Sequence, residues 1–195
     1  MKPLKITLTI LLFASPFVSN AQLNFGVAGG VNIAQFSSAK VASIENTSSI
    51  ENMIGFNAGI MFEVKLPIKV GIELDALYSI KGSSLVIEDA GISSNSDYSL
   101  EYIDFPLVAK WYVLKVTSLQ IGAQYSYLVG ANLNSQDVID QFNSEDLSAV
   151  MGFGVDVNRI HFSARYNFGL VGITKGDSET KSNMFTFSVG LWLNK

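Results

Sequence analysis

The sequence predicts an all-β fold, an eight-stranded antiparallel up-and-down transmembrane β-barrel, and three observations lead there. First, the 195 residues are 48% hydrophobic and only 15% charged, with a mean hydropathy of +0.31, yet beyond Ala21 no apolar run exceeds four residues, Trp111 to Leu114 being the longest. A membrane-spanning helix needs roughly 20 predominantly apolar residues, so the apolar content must follow another pattern. Second, that pattern is a period of two, recurring in eight segments with one face apolar and free of charge. Third, the connections alternate. Tight turns near Leu66-Pro67, Lys115-Val116-Thr117 and Asn158-Arg159 alternate with long stretches rich in Ser, Asn, Asp, Glu and Gly near 37–52, 82–98, 131–146 and 171–183. Short turns at one end and long loops at the other are the asymmetry of a barrel in a membrane.

Taken in order, Met1-Lys2-Pro3-Leu4-Lys5 is a cationic start, Ile6 to Val18 is apolar, and Ser19-Asn20-Ala21 offers small residues before a cleavage site. Residues 1–21 read as a secretory signal peptide and 22–195 as one barrel domain. The first segment sets Phe25, Val27, Gly29, Val31 and Ile33 against Asn24, Gly26, Ala28, Gly30 and Asn32. The second sets Ile54, Phe56, Ala58, Ile60, Phe62 and Val64 against Gly55, Asn57, Gly59, Met61 and Glu63. The third sets Val70, Ile72, Leu74, Ala76, Tyr78 and Ile80 against Lys69, Gly71, Glu73, Asp75, Ser79 and Lys81. In the fourth, Ile103, Phe105, Leu107, Ala109 and Trp111 oppose Tyr102, Asp104, Pro106, Lys110 and Tyr112. The fifth has Leu119, Ile121, Ala123, Tyr125, Tyr127 and Val129 against Gln120, Gly122, Gln124 and Ser126. The sixth has Leu147, Ala149, Met151, Phe153, Val155 and Val157 against Ser148, Gly152, Gly154 and Asp156. The seventh has Ile160, Phe162, Ala164, Tyr166, Phe168 and Leu170 against His161, Ser163, Arg165, Asn167 and Gly169. The eighth has Phe185, Phe187, Val189, Leu191 and Leu193 against Thr186, Ser188, Gly190 and Asn194.

Alternation alone also suits a soluble barrel that binds an apolar ligand, or a β-sandwich. The two faces separate these cases. A solvated outer face would be rich in Lys and Glu, whereas here the polar face is mostly Gly, Ser and Asn with isolated charges, which suits a narrow lumen. An uncharged apolar face can lie against hydrocarbon, because closing the sheet satisfies its backbone hydrogen bonds. Aromatics near the ends point the same way: Trp111 and Trp192 lie toward the short turns, and Tyr78, Tyr98, Tyr102, Tyr125, Tyr127 and Tyr166 toward the loops, as two interfacial belts.

Several classes of chemistry are excluded. The absence of cysteine removes disulfides, thiol nucleophiles and cysteine-held metals, and the one histidine, His161, removes multi-histidine metal sites. No cofactor or metal is expected. Without Lys2 and Lys5 the chain carries 11 basic and 17 acidic residues, a net charge of −6, so no basic footprint for nucleic acid remains.

The inward charges define the candidate site: Glu73, Asp75, Asp104, Lys110, Asp156, His161 and Arg165. Face parity allows Glu73 to sit opposite Lys110 and Ser79 opposite Asp104, while the Asn158-Arg159 turn makes Asp156 and His161 cross-strand neighbours. In so narrow a barrel Arg165 reaches the Glu73, Asp75 and Asp104 group across the lumen. Such a network either locks the interior or forms a gated ion or solute path with Arg165 as gate. Catalysis is not expected, since Asp156 and His161 lie beside a short turn with no serine nucleophile and no cleft. Twelve of the 17 acidic residues lie in or beside the loops: Glu45, Glu51, Glu88, Asp89, Asp97, Glu101, Asp137, Asp140, Glu145, Asp146, Asp177 and Glu179. They suit divalent cations that bridge lipopolysaccharide phosphates, a protein partner, or simply a solvated surface. Lys175-Gly176-Asp177-Ser178-Glu179 lacks the ligand spacing of a calcium loop.

Four stretches carry a resemblance: Phe25-Gly26-Val27-Ala28-Gly29-Gly30-Val31-Asn32, Gly71-Ile72-Glu73-Leu74, Tyr102-Ile103-Asp104-Phe105-Pro106-Leu107 and Phe187-Ser188-Val189-Gly190-Leu191-Trp192. Through them the mature chain resembles the PorT-like outer-membrane β-barrel family of Gram-negative bacteria, small porin-like barrels. The resemblance implies an outer-membrane location, an eight-stranded barrel, assembly by the outer-membrane insertion machinery and no catalysis. Barrels read by that machinery usually end in an aromatic, whereas these last residues are Leu193-Asn194-Lys195. The expected protein is a non-enzymatic, monomeric outer-membrane barrel in contact with lipid and lipopolysaccharide, with its termini in the periplasm and its loops as a binding face. A small gated channel and a soluble periplasmic barrel are the alternatives.

Overall fold

The computed structural model describes residues 21–37, 49–89, 92–133, 136–137, 143–171 and 181–195; the expected signal peptide up to residue 20 and parts of the loops lie outside them. Every regular element among these residues is a strand: β1 (Gln22–Ser37), β2 (Ser49–Leu66), β3 (Val70–Asp89), β4 (Ile92–Tyr112), β5 (Thr117–Leu133), the two-residue β6 (Gln136–Asp137), β7 (Glu145–Val157), β8 (Ile160–Gly169) and β9 (Lys181–Trp192). Each long strand pairs antiparallel with its sequence neighbours, and β1 pairs with β9, so eight strands close on themselves while β6 only extends the β5 edge. A closed barrel leaves no sheet edge and rules out the sandwich alternative.

The register fixes the shape. Following paired residues around the ladder from Gln22 leads through Lys65, Gly71, Lys110, Gln120, Gly152, Arg165 and Thr186 back to β1 at Asn32, ten residues from the start. A stagger of this size over eight strands tilts them by roughly 40° and leaves an interior that side chains just fill. At that tilt β8, with 10 residues, spans about the 25 Å of an apolar membrane band.

The period of two becomes two surfaces. Phe25, Phe56, Phe62, Leu74, Leu107, Ile121, Phe153, Phe162 and Leu191 all face outward and are exposed. The charged and amide residues on the other parity are buried in the lumen. The soluble-barrel alternative needs an apolar interior and is set aside by this orientation. At the upper edge of the outer face Tyr78 donates to Glu101 Oε2 at 2.6 Å, a polar rim above the apolar band.

Two local features let the strands close. Asn158 takes a positive φ of 53° in the two-residue turn between β7 and β8, a conformation that Asn tolerates better than most residues. At inward Gly59 and Gly122 a Cβ would lie 2.0 Å from the Ala76 carbonyl oxygen and 2.1 Å from that of Leu107. The neighbouring backbone occupies the space a side chain would need, so only glycine fits these bends.

The strand framework departs from the sequence reading in the extent of one hairpin and in its register. The stretch 82–98, expected as a loop, is mostly paired strand: β3 and β4 run on to a final pair Asp89 and Ile92, with only residues 90–91 between them. Backbone pairing continues there without the apolar alternation that a lipid-facing face demands. The β3–β4 register also differs by two residues, placing Glu73 opposite Val108, Lys110 opposite Gly71, Asp104 opposite Leu77 and Ser79 opposite Tyr102. Face parity survives a slip of two, so the same residues still point inward.

Candidate functional site

The lumen holds six buried carboxylates, Glu63, Glu73, Asp75, Asp104, Asp146 and Asp156, against three buried Lys and Arg side chains, Lys81, Lys110 and Arg165, among the described residues. Because cations are the scarcer partner, two of them serve more than one carboxylate. Lys110, fully buried on β4, pairs with Glu73 on β3 and lies 3.7 Å from Glu63 Oε1 on β2. Arg165 projects from β8 across the lumen to β3, where one arm bonds Glu73, Nη1 donates to Asp75 Oδ2 at 2.8 Å, and Nε donates to Gln120 Oε1 at 2.7 Å. Glu73 therefore accepts from two cations on opposite walls and ties β3, β4 and β8 together. Gly152, directly across from Arg165, lacks the side chain that would collide with its stem.

Nearer the short turns lies an aromatic layer. His161 Nδ1 lies 2.8 Å from Asp156 Oδ1 and its Nε2 lies 3.5 Å from Lys110 Nζ. Trp192 donates from Nε1 to the same Asp156 oxygen at 3.2 Å and packs against the His161 ring, centroids 5.9 Å apart. Tyr112 donates to Glu63 and its hydroxyl lies 3.3 Å from Asp156 Oδ2. Toward the loops, Lys81 donates to Asp104 Oδ1 at 2.8 Å and Ser126 Oγ at 3.2 Å, beneath the Tyr102 ring. On the remaining wall Asn57 donates to Asn32 Oδ1 at 2.7 Å, and Thr186 and Asn167 continue the chain of hydrogen bonds.

The seven inward charges named from the sequence therefore fall in two groups. Glu73, Asp75, Lys110, Asp156, His161 and Arg165 form one connected cluster, whereas Asp104 lies in a separate pair with Lys81 and receives nothing from Arg165. Glu63, Lys81, Tyr112, Gln120 and Trp192 were not anticipated as partners, although each lies on the inward parity, which was the available signal. Asp146, expected on a loop, is buried in the lumen at 5% exposure, since it is the first inward position of β7.

Two aromatics expected in the interfacial belts, Tyr102 and Trp192, lie inside the barrel instead, Tyr102 over the Lys81 ammonium. Trp111, Tyr78, Tyr125 and Tyr127 are exposed on the outer face, and Tyr166 lies on it between Phe168 and Phe185. Trp192 is fully buried inside. It shares parity with Thr186 and Gly190, and its cross-strand partner Gly26 leaves room for the indole.

Chemically this lumen neutralises and braces. His161 and Asp156 have the geometry of an orienting pair, but His161 is 3% exposed and meets Trp192 and Lys110 rather than a cleft. No group of three or more His, Cys, Asp or Glu side chains placed to hold a metal ion occurs among the described residues.

A family described as "Outer membrane protein beta-barrel domain" matches residues 13–175. No curated protein matches the chain in sequence. Among solved structures, Neisserial surface protein A is similar with a TM-score of 0.55 at 15% identity, over 86% of this chain and 96% of that one. Ail, the attachment invasion locus protein of Yersinia pestis, gives 0.51 at 13% identity, over 88% of this chain and 99% of its own. OprG of Pseudomonas aeruginosa gives 0.51 at 14% identity, over 88% and 96%. These likenesses concern the fold. The chain belongs to the outer membrane protein beta-barrel domain family and is an eight-stranded barrel of the outer membrane.

Proposed function

We propose that this protein is a non-enzymatic, PorT-like outer-membrane barrel that acts as a closed scaffold presenting its loops as a binding face. Residues 1–21 export it, the short turns and termini face the periplasm, and the loops face outward. The observation that carries this reading is the network from Arg165 through Glu73 to Lys110, Glu63 and Tyr112, which bridges opposite walls of a lumen only wide enough for side chains. Trp111, Tyr78, Tyr125, Tyr127 and Tyr166 serve as its interfacial aromatics. The solved structure of Ail contains the heparin analogue sucrose octasulfate. Here the loops carry mostly acidic residues, offset by Lys40, Lys175 and Lys181, so a sulfated polyanion is the wrong charge. Cationic protein segments, or lipopolysaccharide bridged by divalent cations, are the partners that charge favours.

A gated path is the second reading. Its support is that Asp75 Oδ1, beside the guanidinium, makes no hydrogen bond among the described residues and offers Arg165 an alternative acceptor. Planar-bilayer recording of the wild type and Arg165→Ala separates the two. The scaffold reading expects silence in both; discrete steps in the wild type refute it, and steps in Arg165→Ala alone identify the gate.

A further inference from the structure

The mouth of the barrel at the short-turn end holds an unbalanced cluster of cations. Lys65, Lys69 and Lys115 line a concavity of about 830 Å³ between the β2–β3 and β4–β5 turns, floored by Tyr112. None of the three has an ion pair among the described residues, whose salt bridges lie elsewhere. Lys65 Nζ lies 3.7 Å from the centroid of the Tyr112 ring, which holds that ammonium over the mouth. Lys69 takes a positive φ of 61° while its carbonyl accepts from Tyr112 N, so the turn is fixed to the cavity floor. The exposed charged side chains of this rim, Lys69, Lys115, Arg159 and Lys195, are all cationic, and Lys195 is the one among them that pairs with Asp156; the carboxylates Glu63 and Asp156 are buried and already partnered.

The rim is also apolar where a soluble surface would be polar. Ile68 is 60% and Leu114 62% exposed, beside Val113 and Val116, and Trp111 continues this strip into the lipid-facing band. We infer that this mouth docks the phosphate of an anionic phospholipid of the adjacent leaflet, with Lys65, Lys69 and Lys115 around the headgroup and Ile68 and Leu114 against its chains. The occupant is a lipid rather than a free anion because the lysines adjoin an apolar surface continuous with the hydrocarbon face. That the leaflet is the periplasmic one rests on the orientation proposed above.

The test uses the full chain in nanodiscs of equal phosphatidylglycerol and phosphatidylcholine, followed by native mass spectrometry of retained lipid. The wild type retains phosphatidylglycerol preferentially. Each of Lys65→Gln, Lys69→Asn and Lys115→Gln lowers that preference about fivefold, the effect of one cation at an anionic surface. Arg159→Gln, on the same rim but outside the cavity and with its guanidinium bonded to the Lys195 carbonyl oxygen, lowers it less than any of the three, and unheated gel migration confirms that every variant is folded. No preference in the wild type, equal retention by the lysine variants, or displacement of the lipid by millimolar glycerol phosphate each overturns the proposal. An inverted orientation is detected separately by protease access to the loops on intact cells, and leaves the lipid retention itself intact.

Discussion

Neutralising Lys110 should cost this barrel more than neutralising its partner Glu73. Lys110 is fully buried, pairs with Glu73, lies 3.7 Å from Glu63 and sits 5.5 Å from the Trp192 ring. Lys110→Met leaves three buried cationic side chains' worth of pairing to only Lys81 and Arg165, with Glu63 keeping only the Tyr112 and Asn24 hydrogen bonds. Removing one partner of a buried pair costs about 3–5 kcal/mol. Glu73→Gln is milder: Arg165 keeps Asp75 and Gln120, Lys110 keeps Glu63, and one of six crowded negative charges disappears. A cost of about 1–2 kcal/mol follows, near that of losing single hydrogen bonds to charged groups. Thermal unfolding in detergent, followed by circular dichroism and by heat-modifiable migration, should place Lys110→Met roughly 10 °C below the wild type and Glu73→Gln a few degrees below it. Combining the two should recover part of the loss, since neither charge is then stranded. If Glu73→Gln proves the more damaging, or Lys110→Met is harmless, the reasoning that cations are the limiting partner is wrong.

Other outcomes follow from the same geometry. Lys81→Met strands Asp104 and should lower stability by about 3 kcal/mol, while Lys81→Arg recovers much of it; denaturant titration in detergent checks both. Gly59→Val places side-chain atoms where the Ala76 carbonyl oxygen lies, so refolding yield on unheated gels should collapse, whereas Ala58→Val, on the outer face, should be tolerated. Asn158→Val forces a β-branched residue into positive φ at the β7–β8 turn; a cost of about 1–2 kcal/mol is expected, and Asn158→Gly should be close to neutral.

How far the sequence revealed this site depended on the distance from each residue to a short turn. Asp156 and His161 lie one step from the two-residue turn at Asn158, so their pairing was readable directly, and they are register partners. Glu73 and Lys110 belong to strands whose last pair before the connection is Asp89 and Ile92, beyond a stretch of Ser, Asn and Asp with no lipid-facing pattern. Their register could be guessed only to within an even number, and the true one differs by two. Long side chains bridge that offset, which is why Lys110 still meets Glu73. Trp192 shows the opposite weakness: an aromatic near a strand end suggested an interface, but parity with Gly190 placed it inside. Parity was the stronger signal, because it follows from backbone geometry, whereas the aromatic preference is only statistical.

This barrel is turned inside out relative to a soluble one, with apolar residues in lipid and a packed polar lumen. The two tryptophans report on the two sides. In bilayers of brominated phospholipid, the Trp192→Phe variant, which keeps only the outward Trp111, should lose most of its fluorescence, while Trp111→Phe, which keeps the buried Trp192, should lose little. Equal quenching of both, or quenching of Trp192 alone, would contradict this arrangement of the two faces.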